Sequence, residues 1–523
     1  RLVHWAGLLG SRVLLSSATL PPSLIRGLYD AYRDGRSHYQ RNRGVAGAAV
    51  NICCAWFDEH DQAHQDCPDG EGFDAAHQRF VAQRSARLGK VPVRRRAELV
   101  ALTTASGRRK EVADDFAAQA LAQAQHLHGH HHTVDPDSGK RVSFGLIRMA
   151  NIEPLVEVAL ALCRLGAGAG RRIHFCVYHS QHPLLIRSAI EARLDQALNR
   201  RDPLAVFRLP DVRQRLDAHP ESDQLFIVLG SPVTEVGRDH DYDWAVVEPS
   251  SMRSLIQLAG RVRRHREGDC SQPNVALLNT NMRHLTRPAE PAFCRPGFEG
   301  RGDWLLNSHH LETLLTEEER TVIDARPRII ARSDLRPRDS LIDLEHSRLQ
   351  GSMVAPPADT TPEPLEDTAP LTKRERAKRR QTQEPSRLGA YSWYNLPRAS
   401  LTAVLPQQQP FRHDTTQRVD LVLMPDESGE HYDLLQIRKE RGRRVPQYEK
   451  VETSKNNRIP DQALTASTVT PWGETDYLEA LAALADDRGM ELEDCARRFG
   501  TVTLPESSQG WWFHPALGFV KHR

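Results

Sequence analysis

The stretch between residues 141 and 278 most constrains the fold, because short apolar runs alternate there with segments of helical periodicity. The apolar runs predict strands at Val142–Ile147, Ile173–Tyr178, Leu225–Leu229, Trp244–Val247 and Val275–Leu278. The periodic segments predict helices at Ile152–Leu165, at Pro183–Leu198 and near Ser250–Arg264. Strands and helices that alternate at this spacing form right-handed crossovers and a parallel sheet covered on both faces. We therefore expect an α/β fold that binds ligands at the carboxyl ends of its strands.

The N-terminal part gives weaker signals. Apolar runs predict a short strand at Val13–Leu15 and a buried strand within Ala46–Phe57, with a helix at Ser23–Arg36 between them. Amphipathic patterns predict helices at Phe73–Leu88 and Lys110–Leu127. Five histidines follow, at His126, His128, His130, His131 and His132. The glycine and the Asp-Pro-Asp turn beside them favour a mobile loop over a metal site, and no metal ligand is predicted.

The C-terminal part is separated from the rest by a change of composition. Residues 351–387 are rich in Pro, Thr, Asp and Glu and end in the basic run Lys373–Arg380, so this segment cannot bury a core and is predicted to be a linker. The basic run either contacts phosphates or is simply solvated. A smaller α+β domain is expected from Ala390 onward. Its adjacent Trp511 and Trp512 either close a small core, the favoured interpretation, or stack on bases.

Length and composition set wide bounds. The 523 residues allow two to four domains, and a net charge of +2 gives no global sign of a nucleic-acid partner. With no run of eighteen apolar residues and no signal peptide, a cytoplasmic location is expected. The 8 cysteines form no C-x-x-C pair, which fits a reducing compartment. The first residue is Arg1, so we expect the chain to be a fragment of a longer protein.

The strongest chemical signal lies between Phe226 and Arg266. The predicted helix carries Gln257, Gly260, Arg261 and Arg264 at helical spacing, which would align them on one face. Two guanidinium groups on one face, with a glycine clearing the approach, suit a polyphosphate whose charge rises during transfer. The alternative is an arginine-rich helix that is merely solvated.

This stretch resembles motifs V and VI of superfamily 2 helicases. Motif VI of those enzymes reads Q-x-x-G-R-x-x-R, which the four residues at 257, 260, 261 and 264 match position by position. Upstream, Ser17, Ala18 and Thr19 resemble motif III, which links ATP hydrolysis to nucleic-acid grip. Tyr178, His179 and Ser180 resemble motif IV, with an ordinary polar loop as the alternative interpretation.

The motifs with which such an ATPase binds the nucleotide phosphates and Mg²⁺ are not found in this sequence. There is no G-x-x-x-x-G-K-[ST] and no D-E-x-[HD]. The glycine-rich turn Gly166–Gly170 follows a predicted helix and precedes a strand, which is the reverse of a phosphate loop. The two His-Asp dipeptides, His60-Asp61 and His240-Asp241, do not make a nuclease site. The chain alone is therefore predicted not to hydrolyse ATP.

Longer phrases narrow the resemblance. SSATLPP, SPVTEVGRDHDYDWAVVEPSS, QLAGRVRRHR and WWFHPALGF are together similar to the helicase-nuclease of type I CRISPR interference, subtype I-F. In that subtype the enzyme is fused to a small adaptation protein at its N-terminus. The resemblance implies four segments. Residues 1–45 would be the tail of a first RecA-like domain with motif III, and residues 46–350 a second RecA-like domain with a helical insertion and motifs IV, V and VI. Residues 351–389 would form a linker, and residues 390–523 an accessory domain.

The resemblance also implies an activity and its partners. Members of this family use ATP to unwind and degrade DNA from 3′ to 5′, after an RNA-guided surveillance complex has opened an R-loop. ATP and Mg²⁺ would be held mainly by the N-terminal half of the protein, which would also carry the nuclease metals. The expected partners are that half, single-stranded DNA, the surveillance complex, the CRISPR integrase and phage-encoded inhibitors; no membrane partner is expected.

Residue roles carry over motif by motif. Arg261 and Arg264 would be arginine fingers, and Gln257 would position them or the attacking water. The nucleotide would be bound by Gly237, Asp239, Gly260, Arg261 and Arg264. Coupling would fall to Ser17, Ala18 and Thr19. DNA would be contacted by His179, Ser180, Ser231, Thr234 and Glu235.

Two other classes stay open at this level. A non-catalytic module could use the linker and last domain to dock on protein or DNA. A restriction-system translocase of superfamily 2 would share motifs III, V and VI.

Overall fold

The structure, a computed structural model, describes residues 1–355, 389–391, 416–439, 445–464 and 466–522. Most of the predicted linker, including its basic run Lys373–Arg380, lies outside the described residues. Within them, no helix is long and apolar enough to cross a bilayer. All 8 cysteines are free thiols.

The N-terminal part consists of helices and one hairpin. Its elements are α1 (Leu2–Leu9), α2 (Pro22–Arg43), β1 (Ile52–Phe57), β2 (Gln62–Cys67) and α3 (Gly70–Leu88). Both helices predicted in this part are confirmed. The strand predicted at Val13–Leu15 is wrong: this segment is irregular, and Leu14 is 84 % exposed because no described strand lies beside it to pair with.

The strand predicted to be buried within Ala46–Phe57 is only half correct. It begins at Ile52, and alternate residues face solvent, with Phe57 66 % exposed. The reason is that β1 and β2 form a separate antiparallel hairpin instead of joining the main sheet, and α2 and α3 cover only one of its faces.

The central part is the predicted α/β unit. Its strands are β3 (Ala97–Val100), β4 (Thr133–Val134), β5 (Arg141–Arg148), β6 (Arg171–Tyr178), β7 (Asp223–Gly230), β8 (Trp244–Val247) and β9 (Val275–Leu278). Its helices are α4 (Arg109–His131), α5 (Glu153–Leu165), α6 (Leu184–Ala197), α7 (Pro210–Ala218) and α8 (Met252–Ala259). Short 3₁₀ helices lie at Ala205–Arg208 and Pro232–Glu235.

Five short helices continue the chain up to the linker, and a second α+β region follows it. The helices are α9 (Met282–Thr286), α10 (Leu311–Leu314), α11 (Glu317–Thr321), α12 (Arg326–Ile329) and α13 (Leu341–Met353). The later strands are β10 (Arg418–Pro425), β11 (Tyr432–Arg438), β12 (Gln447–Lys450), β13 (Asn456–Arg458), β14 (Val469–Pro471), β15 (Thr501–Pro505), β16 (Trp511–His514) and β17 (Gly518–Lys521). Helices α14 (Tyr477–Arg488) and α15 (Leu492–Phe499) lie between β14 and β15.

The main sheet has the strand order β14-β6-β7-β5-β8-β9-β3, and these neighbours are parallel. Only β4 is antiparallel, beside β5. Alternate residues of each strand point to opposite faces, so Phe144 packs with α6, α7 and α8 whereas Ile147 packs with α4 and α5. The predicted α/β class, with a parallel sheet covered by helices on both faces, is confirmed.

The last strand of this sheet comes from the C-terminal region. Val469 pairs with Ile173 at the edge of the sheet, and Trp472, just after β14, is fully buried against Phe226. The C-terminal region therefore completes the main core in addition to forming its own sheet, β12-β11-β10-β15. The four segment boundaries inferred from sequence stay predictions.

The loop predicted at the histidine cluster is wrong, because α4 continues to His131. Tertiary contacts hold this last turn: His128 Nδ1 lies 2.7 Å from Ser143 Oγ, and His131 Nε2 lies 2.7 Å from the carbonyl oxygen of Pro273. Of this pair, His128 is buried beneath β5. His128 and His131 thus hold the end of the helix, whereas His126 and His130 are exposed.

Candidate functional site

Motifs V and VI meet in a groove of about 720 Å³, hereafter the arginine groove. It is lined by Arg95, Arg201, Gly237, Arg238, Asp239, Arg261, Arg264 and His265. Four of the predicted site residues, Gly237, Asp239, Arg261 and Arg264, therefore lie together. Gln257 and Gly260 do not line the groove.

The single helical face predicted for motif VI is wrong. Helix α8 ends at Ala259, and the amide of Gly260 closes its last turn by donating to the carbonyl oxygen of Ile256, 3.0 Å away. The chain then forms a parallel bridge between Val262 and Tyr242, and Arg263 adopts φ +47°. Backbone pairing with motif V thus replaces helix continuation, so Arg261 and Arg264 project from a loop.

Two arginines of the groove have no acidic partner. Arg261 Nη2 donates to the carbonyl oxygen of Glu235 at 3.1 Å, and Arg95 Nε donates to the carbonyl oxygen of Val262 at 3.0 Å. Neither guanidinium forms an ion pair with a carboxylate of the described residues. Burial and the neighbouring arginines lower the pKa of both, that of Arg95 to about 10. Asp241 raises the pKa of Arg95 and Asp239 raises that of Arg261, but neither carboxylate fully offsets the desolvation.

A single carboxylate, Asp239, lines the groove and is shared by several cations. It accepts hydrogen bonds from Arg264 Nε and, at 3.0 Å, from Arg201 Nη2, and His265 Nε2 lies 3.1 Å away. Partial burial raises the pKa of Asp239, but the bonds from Arg264 and His265 outweigh it and hold the pKa below its usual value. Arg238 is paired outside the groove with Asp195 at 2.7 Å, but the four other arginines of the lining still outnumber its one carboxylate.

Gly237 provides open space at the groove. Its φ is +74°, a conformation that suits glycine, and no heavy atom lies within 4 Å of where a Cβ would project. A ligand can therefore approach the backbone closely at this position.

Beneath the groove lies a buried cluster in which charges are matched. Asp241 and Asp243 are fully buried, and Arg266 donates to both, its Nη2 lying 2.7 Å from Asp241 Oδ1. Arg200 Nη1 lies 3.3 Å from Asp243 Oδ2. Burial lowers the pKa of Arg266, but the carboxylates of Asp243 and Asp241 outweigh it and raise the pKa above its ordinary value. This cluster anchors the loop that carries Arg264.

A second buried network joins motif V to motif VI, and sequence reasoning missed it. Arg148, at the end of β5, is 1 % exposed. Its Nε donates to Glu235 Oε1 at 2.8 Å, and its Nη2 donates to Ser250 Oγ at 2.7 Å and to Ser254 Oγ. An arginine directly after an apolar strand was the only signal in the sequence. Arg148 therefore connects Glu235 to the start of α8 through side-chain hydrogen bonds.

Most residues predicted to contact DNA have buried side chains. Ser231, Thr234 and Glu235 are each less than a tenth exposed. His179 is fully buried, donating from Nε2 to the carbonyl oxygen of Leu517 at 2.8 Å, while Ser180 is exposed. The β16–β17 hairpin thus covers the motif IV histidine, which no local sequence pattern indicated.

Motif III leads into the N-terminal helices. Ser17 and Ala18 are exposed, whereas Thr19 is buried and its amide donates to Ser17 Oγ at 3.2 Å. Helix α2 begins three residues later and packs against α3 and α13. The coupling role of these three residues stays a prediction.

Of the two adjacent tryptophans near the C-terminus, Trp511 packs into a hydrophobic core, which agrees with the favoured interpretation of this pair. Trp511 is 6 % exposed and its Nε1 donates to the carbonyl oxygen of Pro505 at 3.0 Å. Trp512 is half-buried, with its ring 5.4 Å from that of His522.

Comparison with known protein families gives two matches. Residues 141–267 match the model for CRISPR-associated nuclease/helicase Cas3, C-terminal. Residues 423–521 match the model for CRISPR-associated Cas3 subtype I-F/YPEST-like, C-terminal domain. The first match contains motifs IV, V and VI, and the second contains the sheet and hairpin of the C-terminal region.

Two curated relatives are similar along this whole chain. The CRISPR-associated nuclease/helicase Cas3 subtype I-F/YPEST of Pseudomonas aeruginosa is 46 % identical over 528 residues, covering 100 % of this chain and 45 % of the relative. That of Pectobacterium atrosepticum is 38 % identical, covering 99 % of this chain and 44 % of the relative. The chain therefore spans less than half the length of these relatives.

Among solved structures, the Cas3–AMPPNP complex of T. fusca is 18 % identical with a TM-score of 0.33, over 54 % of this chain and 27 % of that one. A CRISPR RNA-guided surveillance complex, pre-nicking, is 15 % identical with a TM-score of 0.36, over 99 % of this chain and 54 % of that one. The sheet topology supports the fold assignment, and the sequence matches support the family. The chain belongs to the Cas3 helicase-nuclease family of subtype I-F CRISPR systems and corresponds to its C-terminal half.

Proposed function

We propose that this chain supplies the second wall of an ATP pocket in a 3′–5′ DNA helicase-nuclease that degrades foreign DNA in type I CRISPR interference. The first wall, with the phosphate loop, Mg²⁺ ligands and nuclease centre, would come from the N-terminal half of the same protein. One observation carries the proposal: Arg261 and Arg264 share a groove whose cations outnumber its carboxylates. A polyphosphate is the ligand that balances such a site.

In this proposal the two arginines act on charge that develops during phosphoryl transfer. The transferred γ-phosphoryl group spreads negative charge over its oxygens, and a guanidinium placed there is worth roughly a thousandfold or more in rate. Arg261 is held by the backbone of Glu235, so its remaining N–H groups are free to donate to phosphate. Arg264 donates to Asp239, and it would leave this carboxylate to bind the nucleotide when the pocket closes.

The buried network offers a route for coupling. Because Arg148 binds both Glu235 and the start of α8, the loop of motif V and the arginines of motif VI should move as one body. Single-stranded DNA would then be gripped near the exposed Ser180, with Ser17 and Thr19 linking the two walls. The surveillance complex, the CRISPR integrase and phage-encoded inhibitors are the further partners that we propose, in line with the family.

The test is Arg261→Ala in the full-length protein, with Arg263→Ala as the matched control from the same loop. Arg263 contacts the carbonyl oxygen of Glu267 at 3.4 Å and does not line the groove. DNA-stimulated ATP hydrolysis should fall by roughly a thousandfold in Arg261→Ala and stay near wild type in Arg263→Ala. Equal activity of both variants would remove the arginines from the mechanism and favour a non-catalytic docking module.

A further inference from the structure

Arg95 lies outside every helicase motif, yet its side chain reaches the arginine groove. It precedes β3, on a segment that is fastened to the loop after motif VI. The amide of Val93 donates to Asp269 Oδ1 at 2.9 Å, and Arg96 Nε donates to the carbonyl oxygen of Cys270 at 3.1 Å. Arg95 itself donates from Nε to the carbonyl oxygen of Val262 at 3.0 Å. Its guanidinium is therefore oriented before any ligand binds.

The surroundings of Arg95 differ from those of a structural arginine. Where this chain buries arginines for stability it pairs them with carboxylates, as Arg266 is paired with Asp241 and Asp243. Within the part of the chain that the structure describes, Arg95 forms no ion pair. Burial lowers its pKa most, Arg94, Arg264 and Arg263 lower it further, and the carboxylate of Asp241, already bound to Arg266, raises it only in part. An oriented, unpaired guanidinium among other cations is the arrangement that binds an anion.

We propose that Arg95 is a third phosphate-binding arginine of the groove, donating its Nη groups to the polyphosphate tail of a nucleoside triphosphate. This inference rests on the proposed function, because it requires that the groove receive a nucleotide. Arg95 is held by backbone alone, whereas Arg264 must leave Asp239 to reach a phosphate. We assign Arg95 to ground-state binding because it lies outside motif VI, while Arg261 and Arg264 keep the transition-state role that the proposed function gives to that motif.

The experiment uses the full-length protein with ATP and ADP as probes. In Arg95→Ala the KM for ATP should rise roughly tenfold, the loss expected for one charge-assisted hydrogen bond, while kcat changes less than threefold. Calorimetric affinity should fall more for ATP than for ADP. The matched control is Arg94→Ala, whose side chain faces Glu267 at 4.0 Å and should leave both constants unchanged.

Two conservative variants separate binding from support of the loop. Arg95→Gln keeps an amide donor for the carbonyl of Val262 but loses the charge, so its KM should match that of Arg95→Ala. Arg95→Lys keeps the charge and should restore much of the affinity. A drop in kcat alone that Arg95→Gln repairs would make Arg95 a positioning residue and overturn the inference.

The failure of this inference can be told apart from failure of the proposed function. If Arg261→Ala abolishes ATP hydrolysis but Arg95→Ala leaves KM unchanged, the inference is wrong and the proposed function stands. If Arg261→Ala hydrolyses ATP normally, the proposed function is wrong, and the inference falls with it.

Discussion

Arg264 and Arg266 stand two residues apart in one loop, and their surroundings are opposite. Arg266 is largely buried and binds two fully buried carboxylates, while Arg264 is 41 % exposed and shares Asp239 with Arg201. The matched cluster satisfies its charges internally, whereas the groove leaves an excess. Residue type and spacing thus do not separate a fully paired structural arginine from one with spare hydrogen-bonding capacity; the local balance of charge does.

This contrast also explains how the groove keeps its shape. Asp241 accepts the amides of Arg264 and His265, both at 3.1 Å, so the matched cluster fixes the backbone from which Arg264 projects. Unsatisfied cations repel one another, and a stable groove needs such an anchor. Under the proposed function, stability and nucleotide binding are thus divided between neighbouring layers of the same loop.

Removing Arg264 should have the largest effect on function and almost none on stability. In full-length Arg264→Ala, DNA-stimulated ATP hydrolysis is expected to drop by roughly a thousandfold. Its ion pair with Asp239 is exposed, so the free energy of unfolding should change by no more than about 1 kcal/mol. Steady-state kinetics and thermal unfolding test both halves. A large loss of stability in Arg264→Ala would show that Arg264 is a structural arginine like Arg266.

Removing a charge from the matched cluster should do the reverse. Asp243→Asn leaves Arg200 without its buried carboxylate and Arg266 with Asp241 alone, which is expected to cost about 3–5 kcal/mol of unfolding free energy. Chemical denaturation followed by tryptophan fluorescence would measure it. Asp239→Asn, in the groove, is the matched control and should lose about 1 kcal/mol or less. Equal losses in the two variants would contradict the division into layers.

In a third region, beneath the β16–β17 hairpin, burial keeps two histidines neutral. His179 and His182 lie beneath the β16–β17 hairpin with ring centroids 4.5 Å apart, and burial lowers the pKa of His179 to about 4. The unfolded chain takes up this proton near pH 6.5, so it binds more protons between pH 6.5 and 4, and stability falls as pH falls through that window.

The expected loss at His179 is about 3 kcal/mol across the window. Hydrogen exchange in β17 at pH 7.5 and at pH 4, corrected for the intrinsic exchange rate at each pH, would report it locally. The variant His182→Phe keeps a ring at the second position and removes one titrating group, so its stability should depend less on pH. A pH-independent hairpin would show that the pair is not held neutral.

The smallest effect is expected at Arg201. Its side chain is 71 % exposed, and its ion pair with Asp239 is worth little in water. Arg201→Ala should raise the KM for ATP less than about threefold, since a mobile, solvated guanidinium gains little on binding phosphate. A tenfold rise would place Arg201 beside Arg95 as a binding residue and enlarge the proposed phosphate site.

The sequence predicted the α/β unit well because its signals are local. Apolar runs and turns mark β5 to β9 within a residue or two, and motif matches brought Gly237, Asp239, Arg261 and Arg264 forward as one site. The prediction of a helical face across motif VI was wrong since the bridge between Val262 and Tyr242 depends on a residue of motif V, outside the helix. The same holds for the histidines of α4, whose last turn is held by contacts with β5 and with Pro273.

Residues close together in the chain carry the family resemblance and the order of strands and helices, so both could be inferred from the sequence alone. Only the tertiary structure decided that Arg95 reaches the groove, that Arg148 ties motif V to motif VI, and that the last hairpin covers His179. These contacts depend on which residues, distant in sequence, come within hydrogen-bonding distance and on how their charges balance there. Neither the contacts nor the charge balance can be inferred from any single position of the sequence.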